Sequence, residues 1–301
     1  MKILYVPDNY DSRIPSAVTV GKFDGFHLGH LSLLESVASK KERGLEPVVI
    51  TIEKSFEAPG ILSVREQKEL LGSLDVEVWM RLKLSDIRDL EPETFVREVL
   101  SEKLNAGYVV SGSDFRFGKN QAGGPELLRS LGKKYGFDTE VIPEVHMDGR
   151  IIDSTSIRSF LSHGDLSSAN QMLGHPYSIG GNIVHGRSLG RKLGFPTMNV
   201  SVEEDKLLPG FGVYFGRVNV EDESMDCLIF IGLKETVSTA LKPVVEVHVP
   251  GLQRMTYGEY AVVYPERFMR PEIRFESVEE LKIAMENDLR IFHRMKNEKT
   301  S

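Results

Sequence analysis

The chain has one cysteine, Cys227, and one tryptophan, Trp79, among its 301 residues. A single cysteine excludes an intramolecular disulfide and a cysteine-rich zinc site, and it suits a reducing cytoplasm. Cys227 and Trp79 both stand in apolar, strand-like runs and are expected in the core. Positive charge is in short supply: Lys+Arg 37 against Asp+Glu 44 leaves a formal net charge of −7. That excludes a bulk binder of nucleic acid or anionic membrane but leaves room for a local basic patch. No stretch approaches the ~20 apolar residues of a membrane span, and residues 1–13, which include Asp8 and Asp11, lack the apolar run of a signal peptide. Internal repeats and low-complexity segments are also missing, and nothing in the chain sets an oligomeric state. What remains is an ordinary globular composition, 41% hydrophobic and 27% charged, in a length that suits two domains.

Strand-like and helix-like patterns alternate along the first half. Residues 16–21 (SAVTVG), 48–52, 76–82 and 107–111 read as strands, and 139–142 as extended. Residues 28–43, 63–72, 92–104 and 126–135 read as helices. Ser63 and Glu66 have capping-box spacing, and Pro92 stands in a first turn, where its missing N–H costs little. This alternation predicts parallel β-α units with helices on both faces of the sheet and ligands beyond the carboxyl ends of the strands. The texture changes near Gly174. Short β-type runs at 177–184, 212–220, 226–232, 244–249 and 259–263, separated by Gly, Pro and Asp clusters, predict a small antiparallel barrel or sandwich. A last helix follows, opened by Ser277 and Glu280 in capping-box spacing. Its stripe Val278, Leu281, Met285, Leu289 and Phe292 is expected to pack on the core. The expected domains are therefore 1–173 and 174–301.

The first predicted strand runs into Gly21-Lys22-Phe23-Asp24-Gly25-Phe26-His27-Leu28-Gly29-His30 and then a helix. Glycines permit close backbone approach, and a helix start presents free N–H groups and partial positive charge. Such a turn suits a triphosphate, with His27 and His30 donating hydrogen bonds as negative charge moves to a leaving group. A metal site is the weaker alternative, since no third ligand stands nearby. Neither a G-x-x-x-x-G-K-[ST] loop nor a G-x-G-x-x-G run after a strand competes.

This stretch resembles the HxGH signature of nucleotidyltransferases. More closely, it resembles the opening of bacterial bifunctional riboflavin kinase/FAD synthetases, G-x-F-D-G-x-H-x-G-H. Two further segments agree. Residues 111–118, Ser-Gly-Ser-Asp-Phe-Arg-Phe-Gly, are similar to the family's G-x-D-F-R-F-G loop. Residues 153–158, Asp-Ser-Thr-Ser-Ile-Arg, are similar to its S-S-T-x-I-R motif, where Ser154 and Thr155 offer hydroxyls and Arg158 a charge-assisted fork for phosphate. The resemblance implies a Rossmann-like α/β nucleotidyltransferase-type N-terminal domain that adenylylates FMN. It makes His27, His30 and Arg158 catalytic. It places Gly21, Phe23, Asp24, Gly25, Gly29, Asp114, Phe115, Asn120, Ser154 and Thr155 among the cofactor-binding residues.

The densest motif is Gly186-Arg187-Ser188-Leu189-Gly190-Arg191-Lys192-Leu193-Gly194-Phe195-Pro196-Thr197-Met198-Asn199. Its basic side chains and backbone amides can cradle phosphates, and the neutral oxygens of Thr197 and Asn199 suit Mg²⁺ as partial ligands. The stretch is similar to the riboflavin kinase motif G-R-x-L-G-F-P-T-x-N. That resemblance implies a small antiparallel β-barrel domain with a C-terminal helix. Gly186, Arg187, Gly190, Lys192, Gly194 and Pro196 would then bind ATP, and Thr197 and Asn199 the metal and phosphates. Residues 208–214 (LPGFGVY), Tyr257-Gly258 and 275–288 match further family segments. The family's general base, the Glu of an E-x-H strand motif, falls on Glu246 of Val245-Glu246-Val247-His248. It would take the proton of the riboflavin 5′-hydroxyl as that oxygen attacks the γ-phosphate of ATP.

The match departs from the family mainly on the flavin side. The usual T-F-D-P-H-P reads Thr-Ile-Glu-Lys-Ser-Phe at 51–56. The usual I-G-x-R-P-T reads Ile-Gly-Leu-Lys-Glu-Thr at 231–236, and Val-Pro-Gly-Leu at 249–252 stands where L-L-D-F is usual. Asp153 replaces the first serine of S-S-T and puts negative charge near an expected phosphate site. The expected protein is thus an enzyme that makes FMN from riboflavin and FAD from FMN, using ATP and Mg²⁺, with no nucleic-acid or membrane partner. Two alternatives stay open: a one-activity FAD synthetase with a degenerate kinase module, and a non-catalytic flavin or nucleotide sensor. Retention of Glu246 speaks against the sensor, which needs no base.

Overall fold

The computed structural model describes residues 2–5, 14–53, 59–186, 190, 193–235, 241–252 and 257–300. The predicted phosphate-binding residues Arg187 and Lys192 lie outside them, as do parts of two of the three flavin-side segments, residues 54–56 and Thr236. The chain divides into two compact units. The first comprises Met1–Ala58 and Val64–Ser154, the second Pro59–Ser63 and Thr155–Ser301. Helices 155–173 thus group with the second unit.

The first unit is built on a six-stranded, fully parallel sheet. Its strands are β1 (Lys2–Tyr5), β2 (Ser16–Gly21), β3 (Glu46–Glu53), β4 (Val78–Lys83), β5 (Ala106–Gly112) and β6 (Asp138–Ile142), in spatial order β1-β4-β3-β2-β5-β6. β2 is buried from Ser16 to Val20, as the continuous apolar run requires of a central parallel strand. The crossovers are α1 (Leu28–Ser39), α2 (Val64–Ser73), the single-turn α3 (Leu84–Ile87), α4 (Pro92–Phe95), which continues as a π-helix over Val96–Lys103, and α5 (Pro125–Tyr135). Pro92 occupies the first turn, as expected. The order reverses at β2: β3 lies on one side and β5 on the other, so the crevice beyond Gly21 and Gly112 is the sheet's topological switch point.

Trp79 and Cys227 are fully buried, and the Trp79 Nε1–H donates to Thr51 Oγ1 at 2.9 Å. Lys40 and Tyr108 both meet the Glu140 carboxylate, at 2.9 Å each, and Ser36 Oγ donates to it at 3.1 Å. The sequence spacing hid this network because its acceptor lies on β6.

A short hairpin, β7 (His146–Met147) and β8 (Arg150–Ile151), precedes α6 (Ser154–Ser162) and α7 (Leu166–Leu173). The second unit's barrel is closed in the order β10-β13-β12-β11-β14-β9. Its strands are β9 (Ile179–Val184), β10 (Met198–Ser201), β11 (Gly212–Val220), β12 (Glu223–Glu235), β13 (Leu241–His248) and β14 (Tyr260–Pro271). Barrel, not sandwich, is the outcome, and closure removes every sheet edge.

The final helix, α8 (Val278–Thr300), has its Glu280 N–H capped by Ser277 Oγ at 3.2 Å, and the Glu280 carboxylate accepts from Glu276 N at 3.0 Å. The expected reciprocal bond is therefore displaced by one residue. Of the apolar stripe, Phe292 is buried against Val213, Phe215 and Leu228, and Leu289 packs beside it. Val278 is 52% exposed, contrary to the packing expectation.

Candidate active sites

The turn between β2 and α1 is strained. Positive φ occurs at Phe23 (47°), Gly25 (84°) and Phe26 (46°). Glycine adopts this region freely, whereas a bulky side chain does so at a cost and usually where function holds it. Both phenylalanine rings are fully buried and stack at 5.7 Å, which offsets the strain. The turn brings His27 to the N-cap of α1, where its carbonyl accepts from Leu31 N at 2.8 Å while its ring caps nothing. The ring instead stacks on His30 at 3.7 Å, and Phe23 meets His30 edge-on at 5.1 Å. A Cβ on Gly29 would stand 3.2 Å from His27 Cε1, so the small residue between the histidines lets the ring lie back on the helix start.

Nδ1 of His27 and Nδ1 of His30 are both buried without a hydrogen-bond partner. Burial pushes His27 down to about 4, against the opposing pull of Asp153, Asp24 and Asp114. Burial, then the neighbouring His27, pushes His30 well below the usual histidine range. Both imidazoles are therefore neutral at neutral pH. The free N–H groups at the start of this twelve-residue helix, beside two neutral imidazoles, suit an oxyanion.

Ser154, the first residue of α6, donates through Oγ to the Asp24 carbonyl at 2.8 Å. Thr155 is exposed and Arg158 half-buried further along α6, within the residues grouped with the second unit. After β5 the loop turns tightly: Phe115 N donates to Gly112 O at 3.2 Å, and Phe115 stacks on Phe117 at 5.4 Å. Asp114 is exposed on this loop and Asn120 adopts a left-handed φ of 56°. A cavity of about 380 Å³ opens here, lined by Val20, Ile52, Phe95, Phe115, Phe117 and Asn120 among others. Its aromatic lining beside the histidine turn suits a flat, partly apolar group.

The second site lies in the barrel. β10 runs antiparallel to β13 and sets Asn199 opposite Glu246. A Cβ on Gly186 would lie 2.2 Å from Asn199 Nδ2, so glycine there lets the carboxamide rest against the backbone. The Gly190 carbonyl accepts from both Leu193 N (3.1 Å) and Phe195 N (2.8 Å), Gly194 is left-handed at 91°, and the Pro196 carbonyl meets His248 Nδ1 at 2.8 Å. These bonds hold the loop that carries Thr197. Thr197, Glu246, Lys234, Phe195, Phe230 and Asp288 help to line a largely apolar cavity of about 260 Å³. Lys234 Nζ pairs with Glu246 Oε1 at 2.5 Å. Arg270 grips the buried Asp288 carboxylate with Nε and Nη2, at 2.9 and 2.7 Å, joining β14 to α8 across the cavity wall. Among the described residues no group of three or more His, Cys, Asp or Glu could hold a metal.

Sequence reasoning missed β10, the Lys234–Glu246 pair and the Arg270–Asp288 clamp. Lys234 stands out in the sequence only as a departure from the family's Arg, with nothing to name Glu246 as its partner. Asp288 closes the family's C-terminal pattern, but nothing in the sequence names its partner.

A riboflavin kinase family model matches residues 173–296, and an FAD synthetase model matches 10–156. Curated proteins named bifunctional riboflavin kinase/FMN adenylyltransferase are similar along most of the chain. That of Listeria monocytogenes is 31% identical, covering 96% of each chain. Those of Pseudomonas fluorescens and Escherichia coli are each 32% identical, covering 90% of each chain. A crystal structure titled macrolide-efflux protein, from Streptococcus pneumoniae, matches with a TM-score of 0.85 at 25% identity, covering 97% of this chain and 98% of that one. Among the described residues here, no helix is long and apolar enough to cross a membrane. With both domain models matched in order and such relatives aligned over 90–96% of the chain, the chain belongs to the bifunctional riboflavin kinase/FMN adenylyltransferase family.

Proposed function

We propose that the chain makes FMN from riboflavin in the barrel and FAD from FMN at the histidine turn, dividing the work between residues 1–173 and 174–301. The observation that carries this reading is the pairing of two sites: stacked neutral histidines at a sheet switch point, and a carboxylate opposite Asn199 in an apolar cavity. ATP, riboflavin and FMN are the substrates the family implies.

In the adenylyl transfer, an oxygen of the FMN phosphate attacks the α-phosphorus of ATP and pyrophosphate leaves. His27 and His30 donate to phosphate oxygens as charge develops, and Arg158 supplies a fixed positive charge. Gly21, Phe23, Asp24, Gly25 and Gly29 shape the turn, Ser154 and Thr155 add hydroxyls at the helix start, and Asp114, Phe115 and Asn120 border the aromatic cavity.

In the phosphoryl transfer, Glu246 takes the 5′-hydroxyl proton while that oxygen bonds to the γ-phosphorus and ADP departs. Gly186, Gly190, Gly194 and Pro196 would line the phosphates, and the motif assigns Arg187 and Lys192 to binding them. The Thr197 hydroxyl and the Asn199 carboxamide fit Mg²⁺, because neutral oxygens suit a hard cation already shared with phosphates and the Gly186 cradle leaves the carboxamide room. When bound, Mg²⁺ neutralises the phosphate charge in both reactions.

The enzyme works in the cytoplasm, supported by a lone buried thiol, and without nucleic acid, supported by a net charge of −7. Purified protein with riboflavin, ATP and Mg²⁺ should give FMN and FAD on chromatography. Failure to form FAD from FMN at any magnesium concentration refutes the N-terminal assignment, and FAD from FMN without FMN from riboflavin refutes the kinase assignment.

A further inference from the structure

We infer that Lys234 is a positioning residue for the kinase step: it binds one oxygen of Glu246 and leaves the other to take the proton of the attacking hydroxyl. This deepens, and rests on, the assignment of Glu246 as general base.

β12 and β13 pair with Phe230 opposite Glu246 and Lys234 opposite Lys242. Residues four apart on a strand share a face, so Lys234, Phe230 and Glu246 present their side chains to the same side of the ladder. The lysine stem runs back along that face. Its ammonium lies 5.7 Å from the Phe230 ring centroid and ends on Glu246 Oε1. Both charged residues line the apolar cavity, with Phe195, Leu228 and Ile229 among its other walls. The carboxylate side chain is 18% exposed and the ammonium side chain 43%.

A carboxylate in apolar surroundings needs a partner to keep one orientation. Among the described residues, Lys234 donates to Oε1 and no hydrogen bond reaches Oε2. Oε2 is therefore the oxygen able to receive the hydroxyl proton. In the step itself the O–H bond breaks and its proton moves to Oε2. The freed oxygen bonds to the γ-phosphorus, and the bond from that phosphorus to the bridging oxygen breaks to release ADP. A lysine, a compact charge with rotatable donors, can follow the small movement of the carboxylate as it is protonated.

The test compares Lys234→Met, Lys234→Arg and Glu246→Gln as full chains, with FMN-to-FAD conversion and thermal unfolding as folding controls. A positioning role predicts that Lys234→Met lowers kcat for riboflavin phosphorylation at least about tenfold, a part of the usual general-base contribution, with KM for riboflavin little changed. Lys234→Arg, which keeps the charge, should recover most of that loss, and Glu246→Gln should abolish the step. If Glu246→Gln is inactive but Lys234→Met turns over like the parent, or loses only KM, the positioning role is wrong and the base assignment stands. If Glu246→Gln keeps parental turnover, the base assignment fails and the inference fails with it.

Discussion

The stacked histidines should make the first unit acid-labile by a calculable amount. In the unfolded chain His27 titrates near its ordinary value of 6.5, whereas burial lowers it to about 4 in the fold. As the pH falls, the unfolded chain therefore takes up a proton that the folded chain refuses. His27 costs nothing above the unfolded value and withdraws stability progressively between 6.5 and about 4. At 1.36 kcal/mol per unit, the loss on going from about pH 7.5 to about pH 5 is about 2 kcal/mol, approaching about 3 kcal/mol below pH 4. His30, also held neutral by burial, adds to the loss in the same direction.

The assay is built into the chain. Its single tryptophan, Trp79, is fully buried in β4 of this unit, so its fluorescence during urea unfolding reports that unit and not the barrel. His27→Asn removes the titrating group. Between about pH 7.5 and about pH 5 the parent should lose about 2 kcal/mol more than the variant, the carboxylates elsewhere cancelling in the difference. Equal pH dependence in the two proteins would refute the claim that His27 is held neutral by its burial.

Three further outcomes follow from the geometry. His30→Ala should lower FAD formation from FMN by about a hundredfold, the usual cost of one oxyanion donor, while FMN formation from riboflavin stays within about twofold of the parent; steady-state assays of the two steps check this. Gly186→Ala puts a methyl 2.2 Å from Asn199 Nδ2, so the carboxamide must move. The kinase step should then need about tenfold more Mg²⁺ for half-maximal rate, read by magnesium titration, if Asn199 is one of its neutral ligands. Asp288→Ala leaves the Arg270 guanidinium without its buried carboxylate and should cost the barrel about 3 kcal/mol in urea unfolding followed by circular dichroism.

Strands β2 and β11 fall where the apolar runs place them, because a run of buried β-type residues between turn signals admits little else. β10 could not be read the same way. Met198–Ser201 is four residues beside a proline, and it is a strand because β9 and β13 pair with its two edges. Val278 misled for a related reason. Helical spacing identifies a face, but it does not say where the core beneath that face begins, and the first turn of α8 carries Val278 in solvent.

By itself the sequence determined the chemistry available: two histidines around a glycine, a Gly-rich basic loop ahead of Thr197 and Asn199, and a glutamate in a strand. Those features are local, because a motif's residues travel together along the chain. Tertiary structure decided what surrounds them. Burial holds His27 and His30 neutral, pairing of β10 with β13 sets Asn199 opposite Glu246, and the β12–β13 ladder brings Lys234 to the carboxylate. Desolvation and charge pairing depend on through-space distance between residues remote in sequence, and no spacing along the chain records that distance.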